Sequence, residues 1–182
     1  MANDDVQTGR PPLFRLRAFT RRVQPVPPTP EPTPELLAVP FDGRDFRTLS
    51  RLLNARRAAD GSAPLTQRQW AGLRAAAEEK RLSFFLALLH GEAVGLCAVC
   101  PVYSVEQCAP GGMLEALYIL PGTPQPEQAE QVLVQCACEA IRAQGGTFAA
   151  VAGAGAGAAR LQALGFCQPC PEGLLRPLEN TP

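Results

Sequence analysis

The stretch that decides the fold is Met113–Gly146, MLEALYILPGTPQPEQAEQVLVQCACEAIRAQGG. Its first eight residues are a mostly apolar run that predicts a strand from Met113 to Leu120. A Pro-rich turn leads into a helix with Pro126 in its first turn, where a missing amide hydrogen costs nothing. Apolar residues recur along one helix face at positions 129, 132, 133, 136, 137, 140 and 141. A strand that ends at a helix N-terminus is a common place for α/β proteins to hold an anion or cofactor.

The charge of the chain is balanced overall but divided between its halves. Among 182 residues the formal net charge is +0. Residues 1–81 hold 14 Lys and Arg against 9 acids, and residues 82–182 hold 3 against 8, so the halves carry about +5 and −5. The half that contains the predicted ligand site is therefore the acidic one. This charge distribution argues against a nucleic-acid partner. The length favours one domain, and 46% hydrophobic residues is ordinary for a globular protein.

The seven cysteines indicate the compartment. Their number is odd, and they fall on predicted strands and helices rather than in turns, so we expect free thiols in a reducing cytoplasm. No run approaches the roughly 18 apolar residues of a membrane span, and the N-terminus lacks the apolar core of a signal peptide. We therefore predict a cytoplasmic protein without a membrane partner.

The N-terminal part of the chain predicts a tail followed by a folded domain. Residues 1–34 form a Pro- and Arg-rich tail and linker in which no packed core is expected. A short strand, Glu35–Phe41, and a helix, Asp42–Arg57, open the domain. A second helix begins at Thr66 and runs to about Arg81. Thr66 and Gln69 have capping-box spacing, and Trp70 lies on the inner stripe.

The rest of the chain alternates strands and helices. Two apolar runs, Leu82–Leu89 and Ala93–Val102, flank a tight turn and predict a hairpin with His90, the only histidine, at its solvated tip. The segment from Tyr103 to Gly112 is predicted as a loop. After the long helix come a strand, Thr147–Ala152, and a connection into a short helix that ends at Gly165-Phe166. A last edge strand is predicted at Leu174–Leu178.

Two motifs suggest chemistry that their context does not favour. Cys97 and Cys100 form one Cys-x-x-Cys pair, and Cys167 and Cys170 form another, which is a zinc pattern. Residues three apart on a strand point to opposite faces, so we predict small buried side chains and no metal site. The run Gly153–Ala158 fits the dinucleotide fingerprint of a Rossmann unit, but it begins too near the C-terminus to leave room for the rest of that unit.

The order of elements and three segments together resemble a known family. The segments are Glu92–Gly95 (EAVG), Leu114–Pro121 (LEALYILP) and Leu161–Phe166 (LQALGF). From about Glu35 to Leu178 the chain resembles the GNAT superfamily of acyl-CoA N-acyltransferases. The resemblance implies an α/β fold: a mixed central sheet with a splayed fourth and fifth strand, flanked by helices. It implies one GNAT-like acyltransferase domain over residues 35–178.

The resemblance also implies an acetyl-CoA site on the central strand and the following loop. In the family the fourth-strand backbone holds the pantetheine arm, which corresponds here to Leu117, Tyr118 and Ile119. Tyr118 or Tyr103 would be the general acid toward the leaving thiolate. Glu115 would be the general base, because it is the only carboxylate inside this apolar run, and burial would raise its pKa. Glu115 could equally face solvent on an alternating strand.

The loop that would hold the pyrophosphate departs from the family pattern Arg/Gln-x-x-Gly-x-Gly/Ala. With Pro124 at the first position only Ala129 fits; shifting the register by one puts Gln125 first and Glu130 last. Pro126 removes an amide, and two glutamates bring negative charge. A charge near a bound phosphate is worth a few kcal/mol at an effective dielectric of about 20, which would weaken CoA binding unless Arg142 or Arg160 compensates.

Further departures lie downstream, so two functions remain open. Ala154 and Leu161 stand where the family often has Asn and its catalytic Tyr. The first function is transfer of an acetyl group from acetyl-CoA to an amine, on a small molecule or a protein, by a chain that could form a homodimer. The alternative is a degenerate GNAT-fold binding or regulatory module that does not bind CoA; a Rossmann-type nucleotide binder is the third.

Overall fold

The computed structural model describes residues 35–152, 158–166, 168–170 and 173–178. The predicted tail, residues 1–34, lies outside these ranges, as does the Gly-rich part of the Gly153–Ala158 motif. Four helices and seven strands occur in the described ranges. In chain order they are β1 (Leu36–Pro40), α1 (Phe46–Ala59), α2 (Gln67–Glu78), β2 (Ser83–Leu89), β3 (Glu92–Ser104), β4 (Ala109–Ile119), α3 (Pro126–Ala143), β5 (Phe148–Ala152), α4 (Ala158–Ala163), β6 (Gln168–Cys170) and β7 (Gly173–Pro177).

The strands form one mixed sheet in the order β1-β2-β3-β4-β5-β7-β6. Only β4 and β5 are parallel among the described strand pairs; the others are antiparallel. The crossover between β4 and β5 is α3, as a parallel connection requires. The predicted α/β class and the mixed sheet are therefore confirmed. A doubly wound Rossmann sheet, which would be built from parallel strands, is excluded by this topology.

Two hydrophobic clusters cover the two faces of the sheet. On one face α3 inserts Leu133, Ala137 and Ile141 against β3, β4 and β5. On the other face α1 inserts Leu49 and Leu52, both fully buried. Burying a leucine side chain stabilises the fold by about 1.5–3 kcal/mol. The sheet is thus held between α3 and α1, and the loop from β4 to α3 lies at its edge.

The helix starts follow their capping residues. Asp45 caps α1 by accepting the Thr48 amide at 3.2 Å, so the helix starts at Phe46 and not at the predicted Asp42. The predicted capping box of α2 is confirmed, because Thr66 and Gln69 bond each other's backbone amides. Trp70 packs against the second cluster, as its place on the inner stripe predicts. None of the described helices is long and apolar enough to span a membrane.

The prediction of a loop from Tyr103 to Gly112 is wrong. β3 continues to Ser104 and β4 begins at Ala109, so most of this segment is a hairpin. In the sequence, Gly111 and Gly112 indicate a loop. In the structure they lie on β4, where the absence of a side chain allows close packing. A Cβ on Gly111 would lie 2.6 Å from Phe148, and one on Gly112 would lie 2.5 Å from Ile141. The glycines therefore let β5 and α3 approach the strand.

The last strand is not at the edge. β7 pairs with β5 on one side and with β6 on the other, so at this end of the sheet β6 is the edge strand among those described. No pattern in the sequence predicts β6, because its three residues include Pro169 and end at Cys170, the second cysteine of a Cys-x-x-Cys pair. A strand of three residues is too short to show a period.

Candidate functional site

A bulge at Glu115 marks the point where β4 leaves β5. In the ladder with β3, Ala116 lies opposite Ala98 and Leu114 lies opposite Val99, which leaves Glu115 as the extra residue. An extra residue on one strand bends that strand and increases its twist. β4 pairs with β5 only through Gly112, Met113 and Leu114, so past the bulge this edge of β4 has no strand partner among the described residues. The predicted splay between the fourth and fifth strands is confirmed.

A cleft of about 840 Å³ opens beside the end of β4 after the two strands part. One wall is β4 from Leu117 to Ile119, and the loop to α3 forms the end. The first turns of α3 and the helix α4 complete it, through Pro126, Glu127, Glu130, Gln131, Arg160, Ala163 and Leu164. Its volume is within the range of ligand sites in proteins, about 300–1,000 Å³.

The cleft brings together some of the predicted site residues and leaves out others. Leu117, Tyr118 and Ile119 all line it, and so does Glu130. Beyond Leu114 the backbone edge of β4 that faced β5 has no strand partner among the described residues. This free edge offers backbone donors and acceptors to an extended ligand, in the manner of strand addition.

Gln125 and Ala129 do not line the cleft, and the helix N-terminus explains why. Gln125 is the N-cap of α3 in the left-handed conformation (φ 54°), and its side chain is exposed. Its carbonyl accepts the amides of Gln128 at 3.1 Å and Ala129 at 3.2 Å. The Ala129 side chain is fully buried in the core. Because Pro126 has no amide hydrogen, Glu127 supplies the first backbone N–H of the helix.

Glu130 is a buried carboxylate held by an arginine. Its side chain is 5% exposed, and the Nε of Arg160 donates to its Oε2 at 2.5 Å. Arg160 itself is 61% exposed. A carboxylate removed from water needs such a partner. Arg160 therefore pairs with one of the two glutamates near the loop, whereas Arg142 lies along a different cavity farther down α3.

Glu115 lies at the bulge and is exposed, so the alternative in which this residue faces solvent is the one the structure shows. Its backbone carbonyl accepts the Nη1 of Arg56 at 3.4 Å. The side chain is two residues upstream of the cleft wall and is not part of the cleft lining. Tyr103 is 67% exposed in the β3–β4 hairpin, where its hydroxyl donates to the Cys108 carbonyl at 2.9 Å. Tyr118 is therefore the tyrosine that borders the cleft.

The sequence did not identify the far wall of the cleft. Gln131, Ala163 and Leu164 form it, and each belongs to a helical pattern that by itself indicates only packing. The first two cysteines of the zinc pattern are separated: Cys97 is in the core cluster around α3, where burial raises the pKa of its thiol, and Cys100 is half-buried. Cys167 and the side chain of Cys170 lie outside the described residues.

Comparison with solved structures finds acetyltransferases with a similar fold. An aminoglycoside acetyltransferase from an uncultured soil metagenomic sample superposes with a TM-score of 0.61 at 20% identity, covering 74% of this chain and 93% of its own. A Trypanosoma brucei acetyltransferase gives a TM-score of 0.58 at 16% identity, covering 75% and 95%. The chain has the GNAT acetyltransferase fold.

The likeness lies in the GNAT fold and not in the sequence. No model of a protein family matches the chain, and no curated protein sequence matches it significantly. A second aminoglycoside acetyltransferase from a soil metagenomic sample, solved in complex with sisomicin, superposes with a TM-score of 0.58 at 14% identity, covering 70% of this chain and 83% of its own. At such low identity the comparison shows the fold alone. What binds in the cleft depends on the residues that line it.

Proposed function

We propose that this protein is an N-acetyltransferase that moves an acetyl group from acetyl-CoA to a small-molecule amine. The observation that carries the proposal is a cleft of about 840 Å³ along an edge of β4 that has no strand partner among the described residues. An amide-rich arm such as pantetheine can pair with that edge through backbone hydrogen bonds. Leu117, Tyr118 and Ile119 would hold the arm.

The acceptor class follows from charge and from the matched structures. Residues 82–182 carry 8 acids against 3 Lys and Arg, and both Glu115 and Glu127 are exposed near the cleft. A negative surface favours a cationic amine over an anionic substrate. Three of the matched structures, from two different proteins, are aminoglycoside acetyltransferases, which supports a small-molecule amine as acceptor. The free cysteines in the described ranges fit a reducing, cytoplasmic setting.

The transfer needs one proton acceptor and one proton donor. The amine nitrogen attacks the thioester carbonyl carbon, a C–N bond forms and the C–S bond breaks. Glu115 takes the proton from the amine, directly or through a water molecule, from its exposed place on the bulge. The Tyr118 hydroxyl gives a proton to the leaving thiolate and regains one from solvent. The products are an N-acetyl amide and the free thiol.

The first turn of α3 favours a second candidate, a binding or regulatory module without CoA. Pro126 supplies no amide, and the amides of Gln128 and Ala129 already bond the Gln125 carbonyl. Glu127 and Glu130 both line the cleft at this end. Such a helix start offers a pyrophosphate little of the usual attraction between an anion and a helix N-terminus.

Calorimetric titration with acetyl-CoA separates the two candidates. Binding at micromolar concentration supports the acetyltransferase, and the absence of heat at millimolar concentration would leave the binding module. If binding occurs, a panel of amines, including aminoglycosides, then tests for acetylated product by mass spectrometry. Glu115→Gln should lower turnover at least tenfold with nearly unchanged acetyl-CoA affinity. Glu106→Gln, an exposed glutamate in the β3–β4 turn, is the matched control.

A further inference from the structure

The positive side chains of the acidic half of the chain line two adjoining cavities. Residues 82–182 contain three Lys or Arg residues, which are Arg142, Arg160 and Arg176. Arg160 borders the acetyl-donor cleft and is paired with Glu130. Arg142 on α3 and Arg176 on β7 line a second cavity of about 410 Å³. Both of these arginines therefore line one cavity outside the proposed catalytic site.

This second cavity lies next to the first. It runs between α3 and the segment from α4 to Gly165, and it shares Gln131, Ala163 and Leu164 with the cleft. The three shared residues form a common wall between the two cavities. A ligand seated in the cleft could therefore extend a group into the second cavity, and a small ligand could also occupy the second cavity alone.

Arg176 is held in place by the backbone around Gly165. Its Nη1 donates to the Leu164 carbonyl at 2.7 Å. Gly165 has a φ of +88°, and a Cβ at this position would lie 3.1 Å from the Arg176 Nε. The guanidinium therefore lies across a residue that only glycine suits. An arginine fixed in this way loses little conformational entropy when it binds a ligand.

Arg142 has a donor with no partner. Its Nε is buried, and it makes no hydrogen bond within the described part of the chain. Leaving a buried donor unsatisfied is costly, so this guanidinium has hydrogen-bonding capacity that the described residues do not use. Burial raises the pKa of the Cys138 thiol, and the guanidinium groups of Arg176 and Arg142 oppose that shift, so both act on the same point of the cavity.

The local charge favours an anion. Neither Arg142 nor Arg176 forms an ion pair with a carboxylate of the described residues. Glu139 is the one carboxylate among the lining residues, and the Nε2 of Gln135 donates to it at 3.0 Å. Two positive charges against one negative leave the cavity with a net positive charge beside an otherwise acidic half of the chain.

We propose that this cavity binds a phosphate group through Arg142 and Arg176. Planar guanidinium groups donate paired hydrogen bonds that match the oxygens of a phosphate. The phosphate could come from a free phosphate or diphosphate ion, or from the phosphorylated end of a ligand in the adjoining cleft. The site does not need the proposed acetyl transfer, so a failure of either proposal can be distinguished from a failure of the other.

Calorimetric titration of the full chain with inorganic pyrophosphate tests the site. Arg142→Gln should weaken binding about tenfold, and Glu139→Gln should strengthen it severalfold, because the first removes an attractive charge and the second a repulsive one. Arg68→Gln, an exposed arginine on α2, is the matched control and should bind as the unaltered chain does. Circular dichroism checks that each variant is folded. No binding, or equal binding by all variants, overturns the proposal.

Two further titrations distinguish the sources of the phosphate. If the ligand is a free anion, pyrophosphate binds equally well with and without pantetheine, and CoA does not compete with it. If the phosphate belongs to a cleft ligand, CoA binds more tightly than pantetheine and displaces pyrophosphate, and Arg142→Gln abolishes the advantage of CoA. Either result supports the site.

Discussion

At the scale of the residue, the two partners of the Glu130–Arg160 ion pair differ in burial. The carboxylate is buried, whereas the guanidinium is exposed to water. We expect Arg160→Gln to lower the free energy of unfolding by about 2 kcal/mol, since it leaves a buried charge without its partner. Glu130→Gln should cost less than about 1 kcal/mol, because the remaining arginine stays solvated. Urea denaturation of both variants measures the two values.

The exposed pair of Arg74 and Glu78 on α2 is the control for this comparison. Its side chains are 61% and 66% exposed, with the atoms 3.1 Å apart. Removing the carboxylate with Glu78→Gln should change the free energy of unfolding by about 0.5 kcal/mol or less. If Glu130→Gln proved more costly than Arg160→Gln, burial would not be what makes the pair unequal.

Asp45 gives a residue-scale prediction about pH. Hydrogen bonds from the Thr48 hydroxyl and then from the Thr48 amide lower the pKa of Asp45 below its usual 3.8. Because the pKa is lower in the folded state than in the unfolded state, Asp45 stabilises the fold at pH values above the unfolded-state pKa. This stabilisation is lost as the pH falls through the folded-state pKa. Thr48→Val should therefore raise the pKa of Asp45 toward 3.8, as an NMR titration of the carboxyl carbon would show. Thr147→Val, whose hydroxyl bonds the Pro110 carbonyl, should not change it.

At the scale of the element, we expect the first turn of α3 to limit the proposed binding of acetyl-CoA. Restoring an amide with Pro126→Ala and removing a charge with Glu127→Gln should each tighten acetyl-CoA binding about fivefold. Calorimetry measures both, with Glu106→Gln as the control for a remote charge. Unchanged affinity in both variants would mean that the donor's phosphates bind elsewhere, and the cavity of Arg142 and Arg176 would be the place to examine.

At the scale of the whole molecule, the helices on the two faces of the sheet differ in how many of their residues are buried. α3 has seven buried residues and α1 has three, whereas α2 has none. We expect the amides of α2 to exchange hydrogen much faster than those of α3, through local opening, with α1 between them. Hydrogen–deuterium exchange with mass spectrometry follows all three helices in one experiment. Equal protection of α2 and α3 would show that the molecule opens only as a unit.

Local patterns were enough to predict most of the elements. The face of α3, the capping box of α2 and the hairpin around His90 each depend on residues within about four positions of one another, and all three are present. The loop predicted at Tyr103–Gly112 is the instructive error. The need for glycine there comes from Phe148 and Ile141, which are more than 28 positions away along the chain.

The sequence by itself determined the strand, the turn and the helix of Met113–Gly146, because periodic apolar residues and a proline at the helix start act locally. It also determined that this turn carries acids where the resembled family carries glycines. Only the tertiary structure decided which charges meet. It pairs Glu130 with Arg160 across 30 positions and brings Arg142 to the same cavity as Arg176. Electrostatic interactions act through space, and the distances between such groups are set by the packing of α3, α4 and β7.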